Sequence, residues 1–231
     1  MNNSTNGHKS HWWKWGTRPR APQEDLAPYR RIALQLHHDL RERESRSVLL
    51  ASPTASPLDA RNASTLSFCL AEELGQRILL VDASARTRAL SHLLGCAESP
   101  GVSDLLVNAE SRLDSLALPT SRENVWFLPA GSRLPAASAT APEALQTMLK
   151  SALGQFEFVV LSAGAVLGDS TALAIAPYAG CVLLFVVENE TTVDDLDASH
   201  NALNICKARK VALVLTARPR GNGTQASAHA G

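Results

Sequence analysis

The chain has 231 residues, of which 45% are hydrophobic and 19% are charged, and 22 basic side chains balance 22 acidic ones. This length suits one α/β domain with tails, and the charge balance excludes a general attraction to nucleic acid or to an anionic membrane. No apolar run is long enough to cross a bilayer, and the polar first residues are not expected to act as a secretory signal. The four cysteines stand apart in apolar contexts, which favours reduced, buried thiols in a cytosolic protein.

In chain order, the sequence begins with a polar and basic arm, residues 1–24, which is predicted to be disordered. Strands are predicted at residues 48–51, 78–81, 125–128, 157–162, 181–187 and 211–216. Helices are predicted at residues 29–43, 61–74, 87–94, 142–153 and 192–206, and a disordered tail at residues 218–231. Because strands alternate with helices and several are apolar throughout, we expect a doubly wound, mostly parallel α/β sheet with helices on both faces. The domain is expected to span residues 25–217.

The segment after the first strand has the layout of a phosphate-binding loop without its composition. Residues 47–83 follow the order strand, loop, helix and strand, but the loop contains neither glycine nor lysine. No lysine occurs anywhere between Lys14 and Lys150. A phosphate-binding loop needs close backbone approach and positive charge. The segment therefore predicts a nucleotide-binding frame that has lost its nucleotide chemistry.

Residues 29–216 resemble the cytoplasmic domain of bacterial tyrosine autokinases. These are deviant P-loop ATPases, related to MinD and ParA, that act with polysaccharide co-polymerases in exopolysaccharide and capsule assembly. The resemblance is carried by PYRRIALQL (28–36), GQRILLVDASARTRALSHLLG (75–95), PGVSDLLVNAESRLDSL (100–116) and NVWFLPAG (124–131). It implies a P-loop NTPase-like fold, an inner-membrane polysaccharide co-polymerase or related export protein as partner, no nucleic acid, and a cytoplasmic location peripheral to the inner membrane.

The same resemblance shows how far the first phosphate loop departs from the family pattern. When SPTASPLDAR (52–61) is laid on that loop, Ser56 occupies a glycine position, Asp59 the lysine position and Ala60 the position of the magnesium-binding hydroxyl. An aspartate that faces phosphates would repel them. The alternative is a rewired site in which Arg61 replaces the lysine.

The second and third family motifs are incomplete as well. Asp82 and Arg86 match an apolar strand followed by D-x-D-x-R, whereas Ser84 replaces the second acid and Ser162 replaces the acid that ends another strand. In the family these acids hold or order the magnesium on which phosphoryl transfer depends. Asp82 is interpreted either as a surviving functional acid or as a cap of the following turn. Arg86 is interpreted either as an anion ligand or as part of a solvated helix face.

These losses predict a catalytically inactive member of the family that requires neither ATP nor magnesium. The family's cluster of autophosphorylated tyrosines is also missing, since the chain has two tyrosines and none near its C-terminus. Two alternatives stay open: an active ATPase or tyrosine kinase with a rewired site, and a positioning protein of the MinD and ParA type without its ATP switch. The old ligand crevice, at the carboxyl ends of the strands, is expected to be partly filled.

The N-terminal arm carries an unusual cluster of aromatic and basic residues, Trp12, Trp13, Lys14 and Trp15. Tryptophan and basic side chains suit a membrane interface or a groove on a partner protein. The alternative is that the arm packs against its own domain. Arg30 matches one of three charged residues that the family uses in oligomers, while alanines occupy the other two positions, so an oligomer remains an open prediction.

Overall fold

The computed structural model describes residues 26–43, 45–84, 86–107, 111–132 and 142–217. These residues contain seven strands, β1 (Ser47–Ser52), β2 (Ile78–Asp82), β3 (Leu118–Pro119), β4 (Val125–Leu128), β5 (Phe158–Ala165), β6 (Cys181–Val187) and β7 (Val211–Thr216). They form one sheet in the order β3-β4-β2-β5-β1-β6-β7. Every pairing is parallel except that of β3 with β4, which is antiparallel.

The described helices are α1 (Ala27–Leu40), α2 (Asp59–Leu74), α3 (Ala89–Leu93), α4 (Val102–Val107), α5 (Leu113–Leu116), α6 (Pro142–Leu153), α7 (Ser170–Ile175) and α8 (Val193–Ile205). The sequence did not predict α4, α5, α7 or β3, because elements this short have too few residues to show a period. It also placed the start of α2 two residues late. Of the helices in the described ranges, none is both long and apolar enough to cross a membrane.

Helices cover both faces of the sheet, as predicted. One core lies between the sheet and α1, α2 and α3, and contains alternate strand residues such as Leu50, Leu80 and Val160. The other lies beneath α6, α7 and α8, and contains the intervening residues such as Leu49 and Leu161. Since central strands are buried on both sides, they are apolar throughout rather than alternating. The fold class predicted from the sequence is confirmed.

The strand order brings the segments of interest to one edge of the sheet. β5 lies between β1 and β2, and Ser162 on β5 is in register with Asp82 on one side and Leu50 on the other. β1 ends at Ser52, two residues beyond Leu50, and the loop to α2 follows. Parallel strands end at a common edge, which is where ligands bind in open α/β sheets.

The cysteines differ in burial. Cys69, Cys96 and Cys181 are buried, whereas Cys206 is half-buried, so the prediction of four buried thiols is wrong for that residue. Burial raises the pKa of all three buried thiols, and the charge of Asp82 helps to raise that of Cys96 to about 11. These thiols therefore stay protonated at neutral pH.

Candidate functional site

The loop between β1 and α2 is closed around the side chain of Asp59. This carboxylate accepts a hydrogen bond from the Ser52 hydroxyl, 2.8 Å from Oδ1 and 2.9 Å from Oδ2. It also accepts one from the backbone amide of Ser56, at 3.1 Å. Asp59 is the first residue of α2 and is half-buried. A carboxylate of the chain itself therefore lies at the start of this helix, where phosphate-binding loops hold their anion.

Three amides of this segment, those of Ser56, Leu58 and Asp59, donate to acceptors of the segment itself. The amide of Leu58 donates to Ser56 Oγ at 3.2 Å, and the amide of Asp59 donates to the Ser56 carbonyl at 3.2 Å. Pro53 and Pro57 have no amide proton to offer. A phosphate-binding loop works because successive amides point at the ligand. Here the amides of Ser56, Leu58 and Asp59 point at acceptors of the chain.

The electrostatic balance of the loop is unfavourable to anions. Burial raises the pKa of Asp59, although hydrogen bonds from the Ser52 side chain and the Ser56 backbone oppose the rise. The donors of the loop therefore do not fully compensate for taking one carboxylate out of water. A further negative charge 4 Å away would add a repulsion of about 4 kcal/mol at an effective dielectric constant of 20. These residues do not fit the phosphate chain of a nucleotide.

The next two residues, Ala60 and Arg61, do not make the loop suitable for a phosphate or its metal ion. Ala60 is buried and offers no hydroxyl for a metal ion. Arg61 is half-buried, two residues after Asp59 on α2. Residues two apart on a helix leave it in nearly opposite directions. The Arg61 side chain therefore starts on the side of α2 away from the Asp59 carboxylate.

Asp82, at the end of β2, is fully buried and held by four hydrogen bonds. The Ser84 amide and hydroxyl donate to Oδ1 at 3.1 and 2.6 Å, and the Ser91 amide and hydroxyl donate to Oδ2, each at 2.8 Å. Ser91 Oγ in turn accepts the amide of Ala130 at 3.0 Å. This network joins β2, α3 and the end of β4. It supports the interpretation of Asp82 as a cap of the following turn.

Ser91 is a residue of this network that the sequence analysis missed. It lies nine residues beyond Asp82 in the short helix α3, and no motif marks it. The chain turns back to bring it there through Arg88, whose φ of 46° lies in the left-handed region. Such a value is uncommon outside glycine and is not predicted by local propensity. Ser84, by contrast, was identified from the sequence, because it occupies the position of the second acid in the D-x-D-x-R motif. In the structure its amide and hydroxyl donate to Asp82, which occupies the position of the first acid.

The remaining predicted site residues are divided between buried and exposed positions. Ser162 is buried beside Asp82, but β5 continues to Ala165, so the prediction that the strand ends at Ser162 is wrong. Arg86 is exposed to solvent. Arg30 on α1 is half-exposed, with nitrogen–oxygen distances of 3.2 Å to Glu72 and 3.4 Å to Glu73 on α2.

Four predicted docking residues, Trp12, Trp13, Lys14 and Trp15, lie outside the described residues, as do the predicted arm 1–24 and tail 218–231.

On the β4 side of the same edge, two of the segments that carry the family resemblance clasp each other. The amides of Val102 and Ser103 donate to the carbonyls of Pro129 and Ala130 at 2.8 and 3.0 Å. Gly101 lies so close to this strand end that an added Cβ would fall 2.0 Å from the Pro129 oxygen. The two segments are thus parts of one packed unit, which we call the β4 clasp.

Asp104 completes the β4 clasp by accepting hydrogen bonds from both of its segments. Its carboxylate accepts the Gly101 amide at 2.9 Å and the Ser132 amide and hydroxyl at 3.0 and 2.9 Å. Gly131, the last residue of the second segment, has a φ of 104°, and a Cβ there would fall 2.0 Å from Ser103 Oγ. Only glycine combines this backbone conformation with this close approach.

A small cavity of about 30 Å³ lies among α4, α6, α7 and the ends of β2 and β4. Its walls are mostly apolar and include Ala83, Leu106, Met148 and Ile175. A space of this size holds no more than a few water molecules. It is not a nucleotide site.

The same fold occurs in solved structures at low sequence identity. A chimerical protein, CapA2B2, matches with a TM-score of 0.74 at 18% identity, covering 88% of each chain. The kinase domain of the Escherichia coli tyrosine kinase ETK matches with a TM-score of 0.73 at 18% identity, covering 85% of this chain and 77% of that one. A ParA family ATPase from Chlorobium tepidum matches less closely, with a TM-score of 0.59 at 17% identity over 74% of each chain.

The chain has the fold that these kinase and ATPase structures share. The higher TM-score of the ETK kinase domain agrees with the predicted resemblance to tyrosine autokinases, and the ParA match agrees with the predicted relation to ParA. No protein-family model matches the sequence, and no curated protein matches it. At these identities the similarity establishes the fold, and function has to be argued from the site.

Proposed function

We propose that this protein is a non-catalytic relative of the bacterial tyrosine autokinases that acts in exopolysaccharide or capsule assembly. It would serve as a partner or regulator of an inner-membrane polysaccharide co-polymerase, on the cytoplasmic side of that membrane. The observation that carries the proposal is the Asp59 carboxylate at the start of α2, bound by the Ser52 hydroxyl and the Ser56 amide. A chain that fills its anion position with its own side chain has no need of a nucleotide phosphate there.

The metal-binding half of the family site supports the same proposal. Asp82 already accepts four hydrogen bonds from Ser84 and Ser91, so its two oxygens are committed to holding the fold. Serines stand at the other two acid positions, Ser84 and Ser162. Magnesium prefers several carboxylate or water oxygens in octahedral geometry. Neither the residues nor their hydrogen bonds favour such a site.

A scaffold role is compatible with the loss of nucleotide chemistry. Binding energy at protein interfaces comes from a few well-packed surface residues, and a fold can keep those residues after its catalytic groups have changed. The unit proposed to bind the co-polymerase is the domain 25–217, with the arm 1–24 and the tail 218–231 as appendages.

Calorimetric titration of the full chain with ATP and ADP, with and without magnesium, tests the loss of nucleotide binding. We expect no heat of binding up to millimolar nucleotide. The kinase domain of ETK serves as the positive control for the assay. Micromolar, magnesium-dependent binding, or magnesium-dependent hydrolysis by the pure protein, would sink the proposal and restore the kinase or ATP-switch alternatives.

The variant Arg61→Ala separates the non-catalytic protein from the rewired enzyme. In a strain that lacks the gene and has lost its exopolysaccharide, we expect the variant to restore polymer production as well as the unchanged protein does. The matched control is Arg86→Ala, which removes an exposed arginine from the same edge of the sheet. If Arg61→Ala fails while Arg86→Ala succeeds, and the variant is folded, the rewired site is the better interpretation.

The partner is tested separately by co-purification of the full chain with the co-polymerase from detergent-solubilised membranes. We expect stoichiometric recovery that does not change when ATP is removed. If the protein binds neither nucleotide nor the co-polymerase, the loss of nucleotide binding at the β1–α2 loop is supported. The assignment to polysaccharide export is then overturned.

A further inference from the structure

The edge strand β7 leaves an apolar surface uncovered. Within the described residues β7 pairs only with β6. Leu213 and Leu215 are 56% and 72% exposed. The register pairs Leu213 with Leu184, which is buried in the core beneath α6, α7 and α8, so both leucines lie on that side of the sheet. Exposed apolar edges promote association, and proteins usually cover or charge them. We call the surface formed by Leu213 and Leu215 the β7 face.

A strongly acidic segment, residues 188–197, borders the β7 face. It contains Glu188, Glu190, Asp194, Asp195 and Asp197, and no lysine or arginine occurs between residues 188 and 206. The amide of Glu188 donates to the carbonyl of Thr216 at 2.8 Å, which fixes the start of the acidic segment at the end of β7. Val193, 72% exposed, adds an apolar side chain within it. An occupant of this surface should therefore be apolar and positively charged.

The N-terminal arm of the same chain has this composition. Residues 9–20 contain three tryptophans with Lys9, Lys14, Arg18 and Arg20, and no acidic residue occurs before Glu24. We call residues 9–20 the Trp arm. The C-terminal tail RPRGNGTQASAHAG follows β7 directly but has no large apolar side chain to cover the leucines. Charge and hydrophobicity both select the Trp arm.

The arm is also long enough to reach the β7 face. The ion pair between Asp39 and Lys210 places the last turn of α1 beside the residue that precedes β7. α1 has 14 residues and is about 21 Å long. The eleven links from Trp15 to Leu26 extend to about 36 Å, which exceeds that length. α1 packs on the face of the sheet opposite the β7 face, so the arm must also pass around the edge strand. The remaining ~15 Å of reach exceeds the roughly 10 Å between packed layers, so the chain before α1 can run back and around β7.

We propose that the Trp arm docks in cis on the β7 face, where its tryptophans cover Leu213 and Leu215 and its basic residues face the acidic segment. Docking buries apolar surface on both partners and pairs opposite charges at the rim of the contact. It also covers the free edge of the sheet. The inference is independent of the nucleotide argument, because no residue of the β1–α2 loop takes part in it.

Limited trypsin digestion of the full chain tests the proposal, with cleavage after Lys14 as the measured step. The double variant Leu213→Lys/Leu215→Lys makes the β7 face polar and positive, and we expect it to raise the cleavage rate at least tenfold. The matched control Leu34→Lys changes a 51% exposed leucine on α1, and we expect no change in rate. Equal rates in the double variant and the unchanged protein, with the variant folded by circular dichroism, would overturn the proposal.

A second variant avoids any question of folding. Trp12→Ser/Trp13→Ser/Trp15→Ser leaves every described contact in place, and we expect the same acceleration of cleavage after Lys14. Raising the salt concentration to 1 M should also accelerate cleavage of the unchanged protein, because the charge pairs are screened. If neither change has an effect, the arm does not use the β7 face.

Two further outcomes would assign the arm elsewhere. Protection that grows with protein concentration, together with a doubled mass in solution, would mean that the arm binds a second copy and would overturn docking in cis. Rapid cleavage after Lys14 that slows only on vesicles of anionic phosphatidylglycerol, equally with and without the leucine substitutions, would mean that the arm binds membranes. Slow cleavage without vesicles, independent of concentration, supports docking in cis.

Discussion

The two sides of the carboxyl edge of the sheet differ in where glycine occurs. On the β4 side, the β4 clasp retains Gly101 and Gly131, and both are packed too closely for any side chain. On the β1 side, the loop before α2 has no glycine, and Asp59 stands where the family resemblance places a lysine. A glycine at the clasp lets one backbone approach another, whereas a glycine in a phosphate loop lets the backbone approach a ligand. The glycines that the backbone packing of the fold requires are present in this chain, whereas the glycines that a phosphate ligand would require are absent from the β1–α2 loop.

The same distinction applies to the acidic residues of the edge. Asp82 accepts four hydrogen bonds and Asp104 accepts bonds from both segments of the β4 clasp, so both carboxylates hold backbone segments together. Asp59 has fewer partners, and burial raises its pKa. The comparison thus predicts large losses of stability for changes at Asp82 and the clasp, and small ones in the β1–α2 loop.

The largest effect is expected for Asp82→Ala. The substitution leaves the amide and hydroxyl donors of Ser84 and Ser91 without their acceptor in a buried place, and we expect unfolding to become easier by about 3–5 kcal/mol. Urea unfolding followed by circular dichroism measures this change. The control Asp194→Ala removes an exposed carboxylate and should alter stability by less than about 0.5 kcal/mol. Similar values for the two variants would contradict the structural role of Asp82.

A smaller loss of folding stability is expected for Gly101→Ala at the β4 clasp. Its Cβ would fall 2.0 Å from the Pro129 carbonyl oxygen, so the two segments must move apart, at a cost of about 2–3 kcal/mol. Gly168→Ala is the matched control, since its Cβ would lie 3.5 Å from the Ala165 Cβ, an ordinary contact. Equal unfolding midpoints in urea for the two alanine variants would show that the clasp is not tightly packed.

Asp59→Asn is expected to have a smaller effect, whose sign depends on pH. Since burial raises the pKa of Asp59, its charged form destabilises the folded state at neutral pH. This penalty disappears as the pH falls through the raised pKa towards the ordinary pKa of an aspartate. The asparagine variant should therefore have a higher free energy of unfolding than the unchanged protein at pH 7, by about 1 kcal/mol. This difference should disappear near pH 4. Thermal unfolding across this pH range measures the difference; a constant difference would mean that Asp59 is not desolvated.

The smallest effect is expected for Arg30→Ala, which removes the ion pairs with Glu72 and Glu73. The arginine side chain is 50% exposed, so solvent screens these pairs and the loss should stay below about 1 kcal/mol. Urea unfolding at low and at 1 M salt should show the loss shrinking at high salt. A loss that is larger or independent of salt would indicate that Arg30 contributes more than surface pairing.

The sequence predicted the frame of the molecule because central parallel strands are apolar on both faces and helices are periodic. It did not predict β3, since a two-residue strand exists only through its pairing with β4. At the site it placed Asp59 at the lysine position of the resembled loop, but it could not show that the Ser52 hydroxyl donates to this carboxylate. The bond from Ser91 to Asp82 depends on the left-handed backbone at Arg88, and such a turn follows from tertiary packing rather than local preference.

The unequal burial of the cysteines makes the native protein selectively addressable by chemistry. With a pKa of about 11, Cys96 stays almost entirely protonated at neutral pH, and Cys69 and Cys181 are shielded by burial as well. Cys206, at the end of α8, is the most accessible of the four thiols. A maleimide fluorophore added to the folded chain should therefore attach there without any engineered mutation. That position is on the helix next to β7, so one dye could report the arrival of a partner at this end of the sheet.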